Sequence, residues 1–248
     1  MIPKDRILEK LDSLLKSNDY QGAKRLLNYW LSEAEYINDQ GGKLLLENEL
    51  MGLSRKLNEK EQALKFAEDA LDQINKMGIE NNVGAATTYL NSATVFKAFG
   101  MAERSLSLFE KARKIYERDL QKNDDRLGGL YNNMGLTLVD LKRFDDAFDL
   151  YNKAIFVMKA LPHKEPEQAI TYLNMATAVE MEKGLIDGKE KINELAIKAM
   201  ACLDSVKHRL DGNYGFVCEK CASVFGYYGY EDYANELKER SRRIYVGS

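Results

Sequence analysis

The stretch Tyr131–Ala154 reads YNNMGLTLVDLKRFDDAFDLYNKA, and its apolar residues recur at the three- and four-residue steps of an amphipathic helix. The first half of the pattern comprises Leu127, Leu130, Tyr131, Met134, Leu138 and Leu141. The second half comprises Phe144, Ala147, Phe148, Tyr151, Ala154, Ile155 and Met158. Only Lys142-Arg143 separates the halves, so the sequence predicts two helices that pack antiparallel around a tight turn.

The same unit recurs along the chain at a nearly constant spacing. Residues equivalent to Ala147 in the second helix stand at spacings of 40, 42, 42, 45 and 42, at Ala23, Ala63, Ser105, Ala147, Ile192 and Ala234. A repeated helical pair cannot bury its apolar face alone, so such units stack into a solenoid. The spacing predicts one solenoid domain over residues 1–248, with six hairpins at approximately 4–38, 41–77, 83–120, 125–160, 166–209 and 213–245.

The anchor residues of this unit resemble those of the tetratricopeptide repeat (TPR). They are Tyr131, Met134, Gly135, Leu138, Ala147, Tyr151 and Ala154. The period alone also suits HEAT or armadillo repeats, but the two-helix unit and its small residues favour the TPR interpretation. The long repeat resembles the 42-residue form of kinesin light chains and bacterial peptide-sensing regulators. The resemblance covers residues 5–245 and implies an all-α, right-handed superhelix; the chain departs from the pattern at Glu47, where an aromatic is usual, and around 184–191.

Composition narrows the classes of partner and compartment. The 248 residues carry 36 Lys and Arg against 39 Asp and Glu, and this near balance argues against nucleic acid as a partner. No apolar stretch is long enough for a membrane span, and charges occupy the region where a signal peptide needs an apolar run. Three cysteines without an export signal predict reduced thiols and a cytoplasmic protein.

Candidate catalytic and metal-binding residues are scarce. Cys218 and Cys221 have a C-x-x-C spacing, but a zinc site needs about four ligands and the sequence offers no second pair. His163 and His208 lack ligand spacing, and no nucleophile elbow, phosphate loop or dinucleotide glycine motif is present. We therefore expect no enzyme activity, no metal and no cofactor, with both cysteines packed in the core.

One polar pattern recurs with the repeat. Asn91, Asn133 and Asn174 each follow a repeat tyrosine by two residues, although asparagine costs about 0.5 kcal/mol relative to alanine inside a helix. First helices line the concave side of such a stack, so the three carboxamides would form a ladder there, and the resemblance implies a ladder that holds an extended peptide. Side-chain specificity is assigned to Thr94, Asp140, Thr177 and Met181, on neighbouring turns of the same helices, and to Glu49, at the equivalent ladder position of a flanking hairpin. Alternatively, the asparagines bond to the adjacent hairpin and fix its stacking.

The sequence therefore supports a non-catalytic module that binds a protein or peptide ligand. A second hypothesis is a structural assembly subunit that acts through its convex face and aromatic end, with a homodimer as one form. The aromatic end comprises Tyr214, Phe216, Phe225, Tyr227, Tyr228, Tyr230 and Tyr233. A third is a sensor fragment whose effector domain lies on another chain.

Overall fold

The computed structural model describes residues 1–246, except the side chain of Val246; Gly247 and Ser248, the end of the predicted domain, lie outside the described residues. Within this part of the chain there are twelve helices and no strands, which confirms the all-α prediction. The helices are α1 (Lys4–Lys16), α2 (Tyr20–Tyr36), α3 (Gln40–Lys56), α4 (Lys60–Met77), α5 (Val83–Ala98), α6 (Ala102–Asp119), α7 (Asp125–Asp140), α8 (Phe144–Lys159), α9 (Glu165–Asp187), α10 (Lys189–Ser205), α11 (Gly212–Tyr227) and α12 (Glu231–Val246).

The helices divide between two compact units. Unit 1 spans Met1–Leu120 and contains α1–α6, while unit 2 begins at Gln121 and contains α7–α12. Each unit holds three hairpins whose two helices pack against each other. Consecutive hairpins also stack, because α2 contacts α3 and α4 contacts α5 in unit 1, and α8 contacts α9 in unit 2.

The turn inside each hairpin contains one residue with positive φ. These residues are Asn18, Asn58, Gly100, Lys142, Gly184 and Gly229. Asparagine and glycine enter this left-handed region at little cost, which explains their use at five of the six turns. In five hairpins the second helix begins two residues after the turn residue, for example at Phe144 after Lys142.

The fifth hairpin differs from the others by an inserted helical turn. Gly184 has φ 79° and ψ 168°, so α9 kinks there, and α10 begins only at Lys189. That start is five residues after the turn residue instead of two, which leaves three additional residues, 185–187. The departure from the repeat pattern expected around 184–191 is therefore an additional helical turn.

Small residues allow the two helices of a hairpin to approach closely. A Cβ atom placed on Gly135 would lie 2.5 Å from Cε1 of Tyr151, across the α7–α8 contact. Tyr151 is itself fully buried, as are Ala147 and Ala154 on the same helix. Contact at this distance leaves no room for a larger side chain, since protein interiors are packed as densely as organic crystals.

The hydroxyl of Tyr151 gives a first testable prediction. This oxygen is buried without a hydrogen-bond partner among the described residues, and burial raises the pKa of the phenol. Removal of an unsatisfied polar atom relieves its desolvation penalty, so Tyr151→Phe should raise the free energy of unfolding by up to about 1 kcal/mol. Phe109, the equivalent residue of the third hairpin, already lacks the hydroxyl. A urea titration of the two proteins tests this, and a loss of more than about 1 kcal/mol would show that the hydroxyl has a stabilising partner.

Candidate functional site

In unit 1 the first helices of hairpins two and three are joined by a polar clamp. The Nδ2 atom of Asn91 on α5 donates to Oδ1 of Asn48 on α3, at 2.9 Å. Asn48 in turn donates to Oγ1 of Thr88 at 3.0 Å and to the carbonyl of Leu44 at 2.8 Å. Thr88 is buried, whereas both asparagines are half-buried. One carboxamide therefore bridges two adjacent first helices at the edge of the core.

Unit 2 repeats this clamp with the same residue types. Nδ2 of Asn174 on α9 donates to Oδ1 of Asn132 on α7 at 3.0 Å, and Oγ1 of Thr171 donates to the same oxygen at 3.2 Å. Asn91 and Asn174 thus each use a donor to fix the neighbouring hairpin, as the stacking interpretation predicts. Neither Asn91 nor Asn174 has a hydrogen bond at its own Oδ1 within residues 1–246.

Asn133 lies at the equivalent ladder position on α7 but takes part in no clamp. Its carboxamide is half-buried and has no hydrogen-bond partner among residues 1–246. The sequence explains the difference, because Leu130 replaces the threonine three residues earlier. Asn133 therefore keeps both its donor and its acceptor.

The predicted specificity residues of unit 1 lie on the same two first helices. Glu49 follows the clamp residue Asn48 on α3 and is half-buried. Its burial is the main cause that raises the pKa of its carboxyl, and the nearby negative charge of Asp12 adds to the effect. Thr94 lies one turn after Asn91, and its Oγ1 donates to the carbonyl of Leu90 at 2.9 Å. The Thr94 hydroxyl is thus partly satisfied by its own helix.

The specificity residues predicted in unit 2 are more exposed. Asp140 ends α7, and Thr177 and Met181 follow Asn174 on α9; all three are exposed. Thr177 donates to the carbonyl of Leu173 at 3.2 Å and accepts a long hydrogen bond, 3.4 Å, from the hydroxyl of Tyr228. Met181 is 53% exposed, which is unusual for a large apolar side chain.

Asn48 and Asn132, the residues at the centre of the two clamps, were not identified from the sequence. Both stand one position before the ladder register, and the search for identical residues at identical positions passes over them. A different signal was present: Thr88 with Asn91, and Thr171 with Asn174, form a T-x-x-N pair with an asparagine 42 or 43 residues earlier. That pattern occurs only in the two places where the clamp forms.

The two cysteines of the C-x-x-C pair lie in the core of the last hairpin. Cys218 and Cys221 are both at most 1% exposed, and burial raises the pKa of the Cys221 thiol to about 12. Burial also raises the pKa of Cys218, so both thiols stay protonated and weakly nucleophilic at neutral pH. Among the described residues, no three His, Cys, Asp or Glu side chains are grouped to hold a metal ion.

Most of the aromatic end also belongs to the core. Tyr214 and Phe225 are fully buried, and the hydroxyl of Tyr214 donates to the carbonyl of Leu203 and accepts from Arg240 at 3.0 Å. Arg240 also donates to Asp204 on α10 at 2.7 Å, so a polar network joins the last two hairpins. Phe216 and Tyr227 are the exceptions, with 54% and 62% of their surface exposed.

Solved structures of other proteins share the fold of stacked helical hairpins. BtubC (BKLC) from P. vanneervenii is 20% identical, with 79% of this chain and 80% of that chain covered and a TM-score of 0.67. A putative kinesin light chain from Podosopora anserina, with nearly identical TPR-like repeats, is 15% identical, with 82% and 94% covered and a TM-score of 0.58. No protein-family model and no curated protein sequence matches the chain.

Two further findings bear on function. No helix within residues 1–246 combines the length and apolar character that crossing a bilayer requires. Repeat proteins of the TPR-like class generally mediate protein interactions through their extended surfaces. With a helical hairpin as its repeating unit and these structural neighbours, the chain has the fold of the TPR-like repeat proteins.

Proposed function

We propose that this chain is a non-catalytic binding module whose first helices hold an extended peptide or a segment of a partner protein. The first-helix surface means the exposed side of α3 and α5 in unit 1, and of α7, α9 and α11 in unit 2. The observation that carries the proposal is Asn133, a half-buried carboxamide inside a helix with no partner among residues 1–246. An asparagine that stabilises nothing in the fold, at a position where alanine would favour the helix, suggests selection for a ligand.

The chemistry of the asparagines suits a peptide backbone. A carboxamide both donates and accepts, so Asn133 can pair with a peptide C=O and N–H whatever the peptide sequence. The clamps orient Asn91 and Asn174, because an Nδ2 atom that already donates within a clamp fixes the direction in which the Oδ1 atom of the same carboxamide points. Asn91 and Asn174 would accordingly accept hydrogen bonds from backbone N–H groups of the ligand.

Side-chain selection falls to the residues around the asparagines. Glu49 and Thr94 would serve unit 1, and Asp140, Thr177 and Met181 would serve unit 2. These groups supply carboxylates, hydroxyls and one thioether, which suits a ligand of mixed character better than a carboxylate-rich one. Three free thiols are consistent with a reducing compartment, and we place the protein in the cytoplasm.

A second testable prediction compares a variant that removes a ladder asparagine with a variant that breaks a clamp. Asn133→Ala should leave thermal stability unchanged or slightly higher, yet weaken partner binding at least about tenfold, the value of one good hydrogen-bonding group. Asn132→Ala is the matched control on the adjacent residue: it breaks the unit 2 clamp and should lower the free energy of unfolding by about 1 kcal/mol. A lysate pull-down read by mass spectrometry would identify the partner, and titration calorimetry would then compare the variants.

A triple asparagine variant can reject the proposal. The triple variant Asn91→Ala, Asn133→Ala and Asn174→Ala should lose any partner that uses the first-helix surface. If all partners bind this triple variant as tightly as the wild type, while stability falls, the asparagines serve stacking alone. The assembly function would then be the better description.

A further inference from the structure

The inserted turn of the fifth hairpin presents apolar side chains to solvent. We call Met181–Lys189 the kink segment; all seven residues from 181 to 187 are exposed. Ile186 is 89% exposed, Met181 53% and Leu185 49%. Isolated exposed apolar residues are ordinary, but three within six positions of one short segment are typical of an interaction site.

Glycines fix the shape of the kink segment. Gly184 adopts φ 79° and ψ 168°, a conformation that is essentially limited to glycine. The amide of Gly188 donates to the carbonyl of Gly184 at 3.0 Å, and a Cβ on Gly188 would lie 2.7 Å from that oxygen. Leu185 and Ile186 are therefore held outward by a closed turn.

The charges around this apolar centre indicate its partner. Glu182 and Asp187 are matched by Lys183 and Lys189, so the kink segment has no net charge. No ion pair of these four side chains lies within the described part of the chain. A strongly basic or acidic partner would meet as much repulsion as attraction here. A second copy related by a twofold axis can instead place each lysine opposite a carboxylate.

We infer that the kink segment is a self-association surface through which two copies of this chain pair. Leu185 and Ile186 of each copy pack together at the centre, and the four charged residues form a complementary rim. Tyr227 extends the apolar area: its hydroxyl donates to Glu180, beside Met181, while its ring remains exposed. Met181 belongs to both proposed surfaces, but Leu185 and Ile186, the centre of this contact, lie outside the residues proposed to bind peptide.

Sedimentation equilibrium of the full chain at increasing concentration tests this inference. The wild type should form dimers, and Ile186→Asp should weaken dimerisation at least about tenfold, because a charge would enter an apolar contact. Ile197→Asp is the matched control, since Ile197 is 60% exposed on α10 outside the kink segment, and it should leave dimerisation unchanged. A wild type that is monomeric up to about 100 µM, or an Ile186→Asp variant that dimerises normally, would overturn the inference.

Charge exchange identifies the partner as a second copy. Lys183→Glu with Lys189→Glu makes the rim acidic, and Glu182→Lys with Asp187→Lys makes it basic; each double variant alone should be monomeric. An equimolar mixture of the two should form a heterodimer, because opposite rims then meet. Monomers in the mixture would contradict pairing through the kink segment, and a heterologous partner would become the better interpretation.

Discussion

Gly135→Leu is expected to lower the free energy of unfolding by more than about 3 kcal/mol. A Cβ at this position would lie 2.5, 2.8 and 2.9 Å from three ring atoms of Tyr151, before the rest of the leucine side chain is placed. The ring cannot move aside, because Tyr151 is fully buried between α7 and α8. Chemical denaturation followed by circular dichroism measures the loss directly.

Gly129 provides a control on the same helix. It is exposed, and a Cβ added there would have no heavy atom within 4 Å. Gly129→Leu should therefore stabilise the protein by up to about 1 kcal/mol through helix propensity alone. Equal destabilisation by the two substitutions would mean that the α7–α8 crossing is not limited by the space at Gly135.

Helical periodicity and repeat spacing made the fold class predictable, because both arise from local geometry. Turn residues, small anchors and apolar faces recur in register, and each is decided by a few neighbouring side chains. The inserted turn at 185–187 was visible as a spacing of 45 instead of 42, but not its conformation. Whether three additional residues form a loop or a helical turn depends on the φ of Gly184, which spacing does not encode.

The candidate site was less predictable than the fold. Recurrence located Asn91, Asn133 and Asn174 on the first helices, yet the three are chemically unequal. The difference depends on residues from other hairpins, Asn48 and Asn132, that meet two of them in space. To predict such a pairing, one must know which residues of neighbouring first helices lie opposite each other. That register is set by side-chain contacts between the hairpins, and these contacts become visible only in the folded structure.

Glu47→Gln is expected to stabilise the protein at alkaline pH and to change little at acidic pH. Glu47 is 2% exposed, in α3, and its Oε2 atom has no hydrogen-bond partner among the described residues. The nearby ammonium group of Lys43 is shared: its Nζ lies 3.7 Å from Oε1 of Glu47 but 2.9 Å from Oε1 of Glu35. Burial, with Asp69 and Glu35 close by on α4 and α2, raises the pKa of Glu47 to about 7.

The direction of the pH dependence follows from that pKa. Between pH 4.5 and 7 the folded state holds a proton on Glu47 that the unfolded state has released, so stability falls as pH rises through this window. Below pH 4.5 the carboxyl is neutral in both states, and above pH 7 the buried charge is fully present. A pKa of about 7 against 4.5 corresponds to at most about 3 kcal/mol of destabilisation at pH 8.

Urea titrations from pH 4 to 8 can isolate this effect, because the single tryptophan, Trp30, lies in unit 1 with Glu47 and reports its unfolding by fluorescence. The wild type should lose stability toward pH 8, and Glu47→Gln should not, whereas Glu61→Gln, at an exposed position on α4, should follow the wild type.

The position of Glu47 is occupied by an aromatic residue in the later repeats. At successive steps of about 42 residues from Glu47 stand Tyr89, Tyr131, Tyr172 and Tyr214. A carboxylate has replaced the aromatic in one repeat only, and that repeat should therefore be the one whose stability depends on pH near neutrality; parallel curves for wild type and Glu47→Gln would show instead that the carboxylate is solvated in the folded state.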